Sequence, residues 1–416
     1  MNAHAFPATL AGKKIVVLIG HFGRGGCERQ AYLFARESRS RYGLDVQVWA
    51  LSGDDHNAAY AMEFQAAGIP IHVLSGFRRP MHSIFNPIFA ANWTYVSHRI
   101  ARQLRKGRID ALLPFTTWPN VVAGLSYRLA GIPLCIWGER HCGGERVPVV
   151  EHLAASQYRR FVANSTAGVE FLAREMRIPH ERLSFVPNGV EDVAVDGTTD
   201  WRARLRLKPD EPLVLKIANI TRYKDHLTLL QAWKIVQETW SGEPRPFLAL
   251  AGACHFDDLY YDCLRVVREA GMESSVRFLE SIPDVPSLLQ ASDLTVFSSR
   301  NEGMPNGVLE CMNAGKAIVA SDLPGIRDAL GSQAEGVVVP PGDSAALAKL
   351  LLDLLRDKRK RVKLGEENRK RIQTDLSVGR MAERHLQIIA DELTRASRQK
   401  IIRRADAAAR QETCEF

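Results

Sequence analysis

The 416-residue chain has no apolar run approaching the roughly 20 residues that a membrane-spanning helix needs. Its opening stretch lacks the order of positive charge followed by an apolar core that marks a signal peptide. Its seven cysteines form no C-x-x-C pair and no cysteine–histidine spacing suited to zinc. These absences lead us to expect a cytoplasmic protein with reduced thiols.

Other absent patterns concern ligands. There is no D-x-D triplet, the usual device for holding a divalent metal on a nucleotide diphosphate. The glycines after the first predicted strand, at positions 20, 23, 25 and 26, miss the G-x-G-x-x-G spacing of dinucleotide-binding folds. No zinc-finger or RNP signature appears either. We therefore expect no bound metal, no cofactor and no nucleic-acid partner.

Charge is spread unevenly along the chain, whose net charge is +8. Residues 1–190 hold 22 Lys and Arg against 13 Asp and Glu, and residues 351–416 hold 17 against 11. The part between them, residues 191–350, is acidic, with 16 against 23. A basic first part suggests an anionic partner, such as a membrane surface or a phosphorylated carrier.

Short β-branched and apolar runs alternate with helical patterns, which predicts an α/β fold with parallel sheets. The length suffices for two domains with separate cores. We predict a first domain over residues 1–190, a linker over 191–210, a second domain over 211–380, and a C-terminal helix with a basic tail over 381–416. The predicted strands are Lys13–Ile19, Asp45–Leu51, Pro70–Leu74, Leu112–Phe115, Leu134–Trp137, Phe161–Ala163, Leu213–Ile220, Phe247–Ala251, Val276–Leu279, Leu294–Phe297 and Ala317–Ala320.

One stretch, SRNEGMPNGVLECMNAGKAIVASD at residues 299–322, predicts a polar loop, a helix and a strand. Pro305 suits the first helical position, and Gly315 suits the stop. The amides near Asn306 and Gly307, with the helix dipole, suit a bound anion. The flanking carboxylates, Glu302 and Glu310, suit sugar hydroxyls. A nucleotide sugar combines an anion with hydroxyl-rich groups on both sides, so it fits this stretch.

The pattern SxxEGxPxxxxE…G…VAS in this stretch resembles the signature of the retaining family 4 glycosyltransferases of GT-B fold, and the resemblance extends over roughly residues 13–390. It implies two Rossmann-like, doubly wound domains that face each other across a cleft, followed by C-terminal helices. It also implies that Glu302 contacts the transferred sugar, that Glu310 holds the ribose hydroxyls, and that the Asn306–Gly307 backbone holds the phosphates.

The function implied by the resemblance is transfer of a sugar, with retention of configuration, from a nucleotide-sugar donor. The missing D-x-D triplet leads us to expect that the transfer needs no metal. The expected acceptor is a glycan or lipid-linked carrier in cell-surface polysaccharide synthesis, reached by a cytoplasmic enzyme that sits peripherally on the inner face of the membrane. Two alternatives stay open: a nucleotide-sugar epimerase of the same architecture, and a non-catalytic subunit that binds the nucleotide sugar or the carrier. An epimerase would consume its nucleotide sugar without any acceptor.

The loop after the predicted strand Leu213–Ile220 carries the expected phosphate ligands. The family pattern G-R-L…K-G places its lysine at Lys224, but its arginine position holds Asn219. Arg222 lies three residues later and is expected to reach the phosphates instead. Lys224 and Arg222 would then stabilise the departing nucleoside diphosphate, where negative charge develops. The segment from Ala251 to Cys254 also departs from the family pattern, which puts base and ribose contacts there in doubt.

Candidate acceptor-side residues lie in the first domain. Gly25 and Gly26, in a GGxER segment, are implied by the family to face the diphosphate and the acceptor. Asn120, Arg140 and His141 follow predicted strands and are expected near the acceptor. Many relatives have a histidine where this chain has a glutamate, at position 139. Arg140 has two open interpretations, a ligand of an acceptor phosphate or a structural salt-bridge partner.

A helical pattern over residues 84–108 places apolar side chains on one stripe and basic ones on the opposite face. The basic face is either simply solvated or rests on anionic lipid headgroups. The short basic segment at residues 401–410 either frays in solution or reaches the same surface. The apolar stripe is Phe89, Trp93, Val96, Ile100 and Leu104, and the basic face is Arg99, Arg102 and Lys106.

Overall fold

The computed structural model describes residues 8–23, 25–53, 58–74, 87–140, 147–191, 199–254 and 258–412; for residues 58–59, 87–92 and 400–412 it describes the backbone alone. The chain forms two compact units. Unit 1 comprises residues 1–164, 168–189 and 378–416, and unit 2 comprises residues 165–167 and 190–377. Residues 378–416, which include the C-terminal helix and tail predicted over 381–416, are thus counted with unit 1.

Unit 1 is built on a seven-stranded parallel sheet with the strand order β3-β2-β1-β4-β5-β6-β7. Its strands are β1 (Lys14–Ile19), β2 (Asp45–Ala50), β3 (Ile71–Val73), β4 (Ala111–Pro114), β5 (Leu134–Glu139), β6 (Arg160–Ala163) and β7 (Leu183–Phe185). Its helices are α1 (Gly26–Tyr42), α2 (Ala58–Ala66), α3 (Pro87–Lys106), α4 (Thr117–Ala130), α5 (Val149–Ala155) and α6 (Thr166–Arg174), to which the C-terminal helix α15 (Val378–Glu412) is added.

Alternate residues of β1 belong to different cores, which explains why the strand is apolar throughout. Ile15, Val17 and Ile19 pack into the core that includes α1 and α15. Val16 and Leu18 pack into the core that includes α3 and α4. A parallel sheet covered by helices on both faces needs apolar side chains on both faces, so its strands show no polar alternation. Unit 1 is therefore doubly wound.

Unit 2 repeats this architecture on a six-stranded parallel sheet with the order β10-β9-β8-β11-β12-β13. Its strands are β8 (Leu213–Ile217), β9 (Phe247–Ala251), β10 (Val276–Phe278), β11 (Leu294–Phe297), β12 (Ile318–Ser321) and β13 (Val338–Val339). Its helices are α7 (Trp201–Arg204), α8 (His226–Thr239), α9 (Asp258–Glu269), α10 (Val285–Ala291), α11 (Asn306–Asn313), α12 (Pro324–Leu330), α13 (Ser344–Arg356) and α14 (Lys358–Asp375).

The predicted α/β class with parallel sheets is confirmed, and every predicted strand is present. The differences are at the ends of elements. β8 stops at Ile217 rather than Ile220, and β5 runs on to Glu139. Pro305 is the N-cap of α11 rather than its first residue. The strands β7 and β13 and helices such as α2 and α9 were not predicted from the sequence, because their apolar runs are short or their pattern is mixed.

The helix predicted over residues 84–108 is present as α3 and has the predicted two faces. Trp93, Val96, Ile100 and Leu104 are buried against unit 1, and the three basic side chains are exposed. Phe89 lies where only the backbone is described. Among the described residues, no helix combines the length and apolar character needed to cross a membrane.

Candidate functional site

The candidate site of unit 2 lies at the carboxyl ends of two neighbouring strands, β8 and β11. The loop after β8 contains a 3₁₀ turn, Arg222–Lys224, and leads into α8. The loop after β11 contains Glu302 and leads into α11. In a doubly wound sheet the loops at the carboxyl ends of adjacent strands meet at one edge, which is where such folds bind ligands.

Lys224 and Glu302 form an ion pair that joins these loops. The distance from Lys224 Nζ to Glu302 Oε1 is 2.5 Å. Ser299 Oγ donates a second hydrogen bond, of 2.9 Å, to the same carboxylate oxygen. The exposed fractions of the two side chains are 21% for Lys224 and 9% for Glu302, so the pair is largely desolvated but keeps an open side. Both residues were predicted as site residues from the sequence, and the structure brings them together.

The loop after β8 is held by Asp225, which has a left-handed backbone (φ 46°) and caps α8. Its carboxylate accepts hydrogen bonds from the amide and hydroxyl of Thr228. The same carboxylate pairs with Arg300 Nε at 3.0 Å, and the Arg300 amide donates to the Tyr223 carbonyl at 2.8 Å. Arg300 therefore fastens the second loop to the first, a role that the sequence analysis did not predict.

Lys216, in β8, lies beneath both loops and was also missed. Its side chain is completely buried. Its ammonium donates to the Lys224 carbonyl at 2.7 Å, to the Ser298 carbonyl at 3.2 Å and to Ser298 Oγ at 2.9 Å. Burial, assisted by the positive charge of Lys224, lowers the pKa of Lys216 to about 7, and the Glu302 carboxylate opposes this shift.

His226, the first residue of α8, is a further buried ionisable group beside these lysines. Burial lowers its pKa to about 2, and the charges of Lys216 and Lys224 act in the same direction. The imidazole is therefore neutral at physiological pH. No role was predicted for this residue from the sequence.

Two glycines allow the backbone of this site to pack closely. A Cβ added to Gly307, in the first turn of α11, would lie 3.1 Å from the Phe297 ring and 3.2 Å from the Ile217 carbonyl oxygen. A Cβ on Gly325 would lie 1.6 Å from the Gly303 carbonyl oxygen. Gly307 thus lets α11 start close to the ends of β8 and β11, and Gly325 lets α12 support the loop that carries Glu302.

The N-terminus of α11 is directed by this packing to the same edge of the sheet. Asn306 and Gly307 are its first two residues, and both are partly exposed. The first amides of a helix lack carbonyl partners within that helix and carry the positive end of its dipole. Glu310, also partly exposed, follows on the same helix. The site therefore combines amides, cations and carboxylates in one place.

The site combines cations with carboxylates. Lys224 and Arg300 supply two positive charges beside the carboxylates of Asp225, Glu302 and Glu310, and the buried Lys216 adds a third when it is protonated. Arg222, predicted as a phosphate ligand, is exposed on the 3₁₀ turn next to them. Such an arrangement can bind a multiply charged anion and can also accept hydrogen bonds from hydroxyl groups.

Asn219 has a structural role in place of the arginine that the family pattern has at that position. Its side-chain oxygen accepts a 2.9 Å hydrogen bond from the Ala253 amide. Next to it, Gly252 has φ 156°, and a Cβ there would lie 2.1 Å from the Ala218 carbonyl oxygen. The departures from the family pattern at Asn219 and at residues 251–254 are therefore coupled, since the side chain of one supports the backbone of the other.

In unit 1, the predicted residues Gly25 and Gly26 lie at the beginning of α1. Gly25 is the N-cap, and Gly26 is the first helical residue. A Cβ on Gly25 would lie 2.3 Å from Glu28 Oε2. Both glycines thus stand at a helix N-terminus.

Asn120, predicted to contact the acceptor, has the environment of a structural residue. It is completely buried in α4. Its amide nitrogen donates to the Gly138 carbonyl at 2.9 Å, and its side-chain oxygen accepts from the Gly138 amide at 3.1 Å. These bonds clamp α4 to β5, so the structure gives no support to a role for Asn120 in acceptor binding.

Arg140 is also interior, with an exposed fraction of 5%. It donates to Asn188 Oδ1 at 2.8 Å, lies 3.3 Å from His385 Nε2, and its guanidinium is 4.1 Å from the Phe115 ring centre. Burial lowers its pKa to about 10, so it stays charged near neutrality. This environment favours the structural interpretation, although the partners are an amide, an imidazole and a ring rather than the carboxylate of a salt bridge.

The remaining acceptor-side positions divide between described and undescribed residues. Glu139, at the end of β5, is buried and accepts a 3.1 Å hydrogen bond from Trp137 Nε1. His141 lies outside the described residues. Within the described ranges, no group of three or more His, Cys, Asp or Glu side chains is arranged to hold a metal ion.

Comparison with known families matches both units. The family described as "Glycosyl transferases group 1" matches residues 197–371, and the family described as "Glycosyltransferase Family 4" matches residues 24–193. Together these matches cover most of the chain. The first contains the whole ion-paired site of unit 2, and the second contains every strand of the unit 1 sheet except β1.

Individual relatives are distant. The 2-deoxystreptamine N-acetyl-D-glucosaminyltransferase of Streptomyces fradiae is 25% identical over 58% of this chain and 60% of that enzyme, less than two thirds of its length. The UDP-Gal:alpha-D-GlcNAc-diphosphoundecaprenol alpha-1,3-galactosyltransferase of Escherichia coli is 22% identical over 61% of this chain and 68% of that enzyme.

A solved structure agrees over a larger part of the chain. Anabaena Alr3699/HepE, in complex with UDP, has a TM-score of 0.74 at 18% identity and covers 91% of this chain and all of that one. At this identity the likeness concerns the fold. Fold and family matches agree, and the chain belongs to the group 1 and family 4 glycosyltransferases of GT-B fold.

Proposed function

We propose that this chain transfers a sugar, with retention of anomeric configuration and without a metal, from a nucleotide-sugar donor to a lipid-linked or polysaccharide acceptor in cell-surface glycan synthesis. The observation that carries the proposal is the Lys224–Glu302 ion pair at the N-terminal end of α11. It combines a cation and helix amides, which suit a diphosphate, with a carboxylate that suits sugar hydroxyls.

The donor diphosphate would lie against Lys224, Arg222 and the first amides of α11. As the bond between the sugar and the phosphate breaks, negative charge develops on the departing nucleoside diphosphate, and fixed positive groups stabilise it most at that point. Glu310 would accept hydrogen bonds from the ribose hydroxyls. These groups also supply the positive charge for which other enzymes use a divalent metal, which supports a metal-independent reaction.

Glu302 would orient the transferred sugar rather than attack it. Its Oε1 already accepts hydrogen bonds from Lys224 and Ser299, which withdraw electron density and make the carboxylate a weak nucleophile. We therefore infer attack from the front face. The acceptor oxygen bonds to the anomeric carbon as the bond from that carbon to the phosphate oxygen breaks, and the departing phosphate oxygen takes the acceptor's proton.

The acceptor side of the proposal depends on unit 1. The Escherichia coli relative is named for an acceptor on diphosphoundecaprenol, a lipid carrier. The exposed face of α3 carries Arg99, Arg102 and Lys106 with the exposed ring of Tyr95 beside them. Cations next to an exposed aromatic ring suit the interface of an anionic membrane. We therefore propose that the enzyme acts at the inner face of the membrane, where a lipid-linked acceptor is reached.

A thermal-shift screen tests the donor. The purified protein is melted with UDP-, GDP- and ADP-sugars, first without and then with Mg²⁺. A ligand that binds the folded state alone raises the melting temperature by mass action. We expect a shift with one nucleotide class, present without Mg²⁺ and reduced in Glu310→Ala. No shift with any member of the panel would favour the non-catalytic alternative over the proposed function.

A transfer assay completes the test. EDTA should leave the rate unchanged, and the product should keep the anomeric configuration of the donor. Consumption of the nucleotide sugar without any acceptor would instead indicate an epimerase. Inversion of configuration would contradict the retaining mechanism while leaving the donor site in place.

A further inference from the structure

We propose that Lys216 is a positioning residue that sets the geometry between Lys224 and Glu302, by holding from beneath the two loops that carry them. The inference rests on the proposed function in one respect, since it assigns these two residues to the donor site. It goes beyond that function because Lys216 itself contacts no part of a donor: its side chain is completely buried.

The hydrogen bonds of Lys216 match an ammonium group. An ammonium has three N–H donors, and the structure offers three acceptors, at 2.7 Å, 2.9 Å and 3.2 Å. One acceptor, Ser298 Oγ, uses its own hydrogen to donate to the Asp225 carbonyl at 2.9 Å. A neutral amine would have only two donors for these three acceptors, so the arrangement is complete when Lys216 is charged.

These acceptors lie next to the proposed donor ligands along the chain. The Lys224 carbonyl belongs to the residue whose ammonium pairs with Glu302. Ser298 immediately precedes Ser299, whose hydroxyl bonds to the Glu302 carboxylate. One buried ammonium thus fixes the backbone of both loops within one or a few residues of the ion pair. Loss of its bonds would let Lys224 and Glu302 move independently.

The charged neighbours of Lys216 make its protonation sensitive to pH. Lys224 opposes its charge, whereas Asp225 and Glu302 favour it. His226 on α8 is neutral, and the Cys263 thiol on α9 is buried. Arg300 neutralises part of the Asp225 charge through its ion pair. Because burial brings the pKa of Lys216 to about 7, the ammonium loses its proton as the pH rises through neutrality, and the third hydrogen bond is then lost.

Lys216→Met tests the proposal, and Lys316→Met is a matched control. Methionine fills a similar volume without a charge. Lys316 is also a largely buried lysine of unit 2, and it donates to the backbone carbonyls of Gln290 and Ser292. It precedes β12 and so lies at the opposite edge of the sheet from the loops described here. Both substitutions remove a lysine that donates to backbone carbonyls, but only Lys216 lies at the candidate site.

The first measurement needs no ligand. Hydrogen exchange is followed by mass spectrometry in peptides that cover residues 218–226 and 298–304, in wild type and in both variants. We expect exchange in both segments to accelerate about tenfold or more in Lys216→Met and to stay unchanged in Lys316→Met. Equal exchange in wild type and Lys216→Met would overturn the proposal. A far-UV circular dichroism spectrum and a melting curve establish that each variant is folded.

The second measurement is calorimetric titration with UDP, GDP and ADP from pH 6 to pH 9. We expect Lys216→Met to bind the nucleotide about tenfold more weakly than wild type at pH 6, and the ratio to be smaller at pH 9, where the neutral amine of wild type keeps two of its three hydrogen bonds. Ionisation of the nucleotide cancels in this ratio. A ratio of one throughout, or a constant ratio such as a purely structural lysine would give, would overturn the proposal. If wild type binds none of the three nucleotides while the exchange difference is present, the proposed function fails and the loop-positioning role stands.

Discussion

The carboxyl edges of the two sheets carry polar side chains of similar types but use them differently. In unit 1, Asn120 and Arg140 are buried, and their bonds go to the backbone of β5 and to other interior groups. In unit 2, Lys224 and Glu302 pair with each other at the surface of the edge, with one side open. The first arrangement holds secondary structure in place, whereas the second leaves charged groups available to a ligand.

The difference shows that a polar residue at a strand end is not by itself a site. Burying a polar group is costly unless its hydrogen bonds are made. A buried group whose hydrogen bonds are all made within the protein has none left for a ligand. Asn120 has both sides of its amide occupied by one glycine, Gly138. Lys224 has three N–H donors, of which the structure shows one bonded to Glu302. The two edges therefore differ in the hydrogen-bonding capacity that remains for a ligand, which Lys224 keeps and Asn120 does not.

The largest effect is expected from Glu302→Gln and Lys224→Met. Each removes one charge of the ion pair while keeping most of the side-chain shape. We expect kcat for sugar transfer to fall about 100-fold or more, because the sugar loses its orienting carboxylate or the departing diphosphate loses its cation. Steady-state kinetics measure this, with Glu335→Gln, an exposed carboxylate of the same unit, as the control. Full activity in either variant would remove that residue from the site.

A second effect concerns the surface of unit 1. Reversal of Arg99, Arg102 and Lys106 to Glu should weaken binding to vesicles that contain anionic lipid about 100-fold, because each basic residue near such a surface contributes to the attraction. Vesicle co-sedimentation at two salt concentrations measures it. The control reverses the exposed residues Lys234, Arg265 and Arg268 of unit 2, which changes the net charge equally. If wild type and the α3 variant bound the vesicles equally, the basic face of α3 would be simply solvated and would not contact lipid headgroups.

Arg140→Met tests the structural role assigned to unit 1. The substitution removes the hydrogen bond to Asn188 and the contact with His385, and we expect the free energy of unfolding to fall by about 2 kcal/mol. Nucleotide affinity should not change, because the proposed donor ligands lie in unit 2. Urea unfolding and calorimetry measure the two quantities. If Arg140→Met lost sugar-transfer activity while its free energy of unfolding stayed unchanged, Arg140 would instead be a ligand of an acceptor phosphate.

The smallest effect is on acid stability. Burial lowers the pKa of His226 to about 2, below its value of about 6.5 in the unfolded chain. Between these values the unfolded chain binds a proton that the folded protein does not, so stability is lost as the pH falls below 6.5. His226→Gln should reduce this slope by up to about 1.4 kcal/mol per pH unit.

Urea unfolding at pH 7, 6 and 5 measures the slope. His72→Gln, at an exposed position in unit 1, should leave it unchanged. His385 is a useful second case, because burial lowers its pKa to about 3 and its substitution should act in the same direction from unit 1. A His226 variant with the wild-type slope would mean that the folded protein admits the proton.

Much of the fold followed from local pattern. The apolar runs of β1, β9 and β11 predicted strands with boundaries within one residue of those observed. The elements that escaped prediction are short or weakly patterned, such as the three-residue β7 and the helix α2. The candidate site in residues 299–322 could be predicted from the sequence because its loop, helix start and carboxylates are close together along the chain.

The sequence by itself determined the alternation of strands and helices, the family resemblance, the positions of Lys224 and Glu302 in loops that follow strands, and the position of Glu310 on the next helix. The tertiary structure alone decided which polar residues face inward. Lys216 is one lysine in an apolar run, and its acceptors lie 8 and 82 residues further along the chain. Asn120 is likewise bonded to a residue 18 positions away. Burial and hydrogen-bond completion depend on which distant backbone groups the fold brings together, and no local pattern records that.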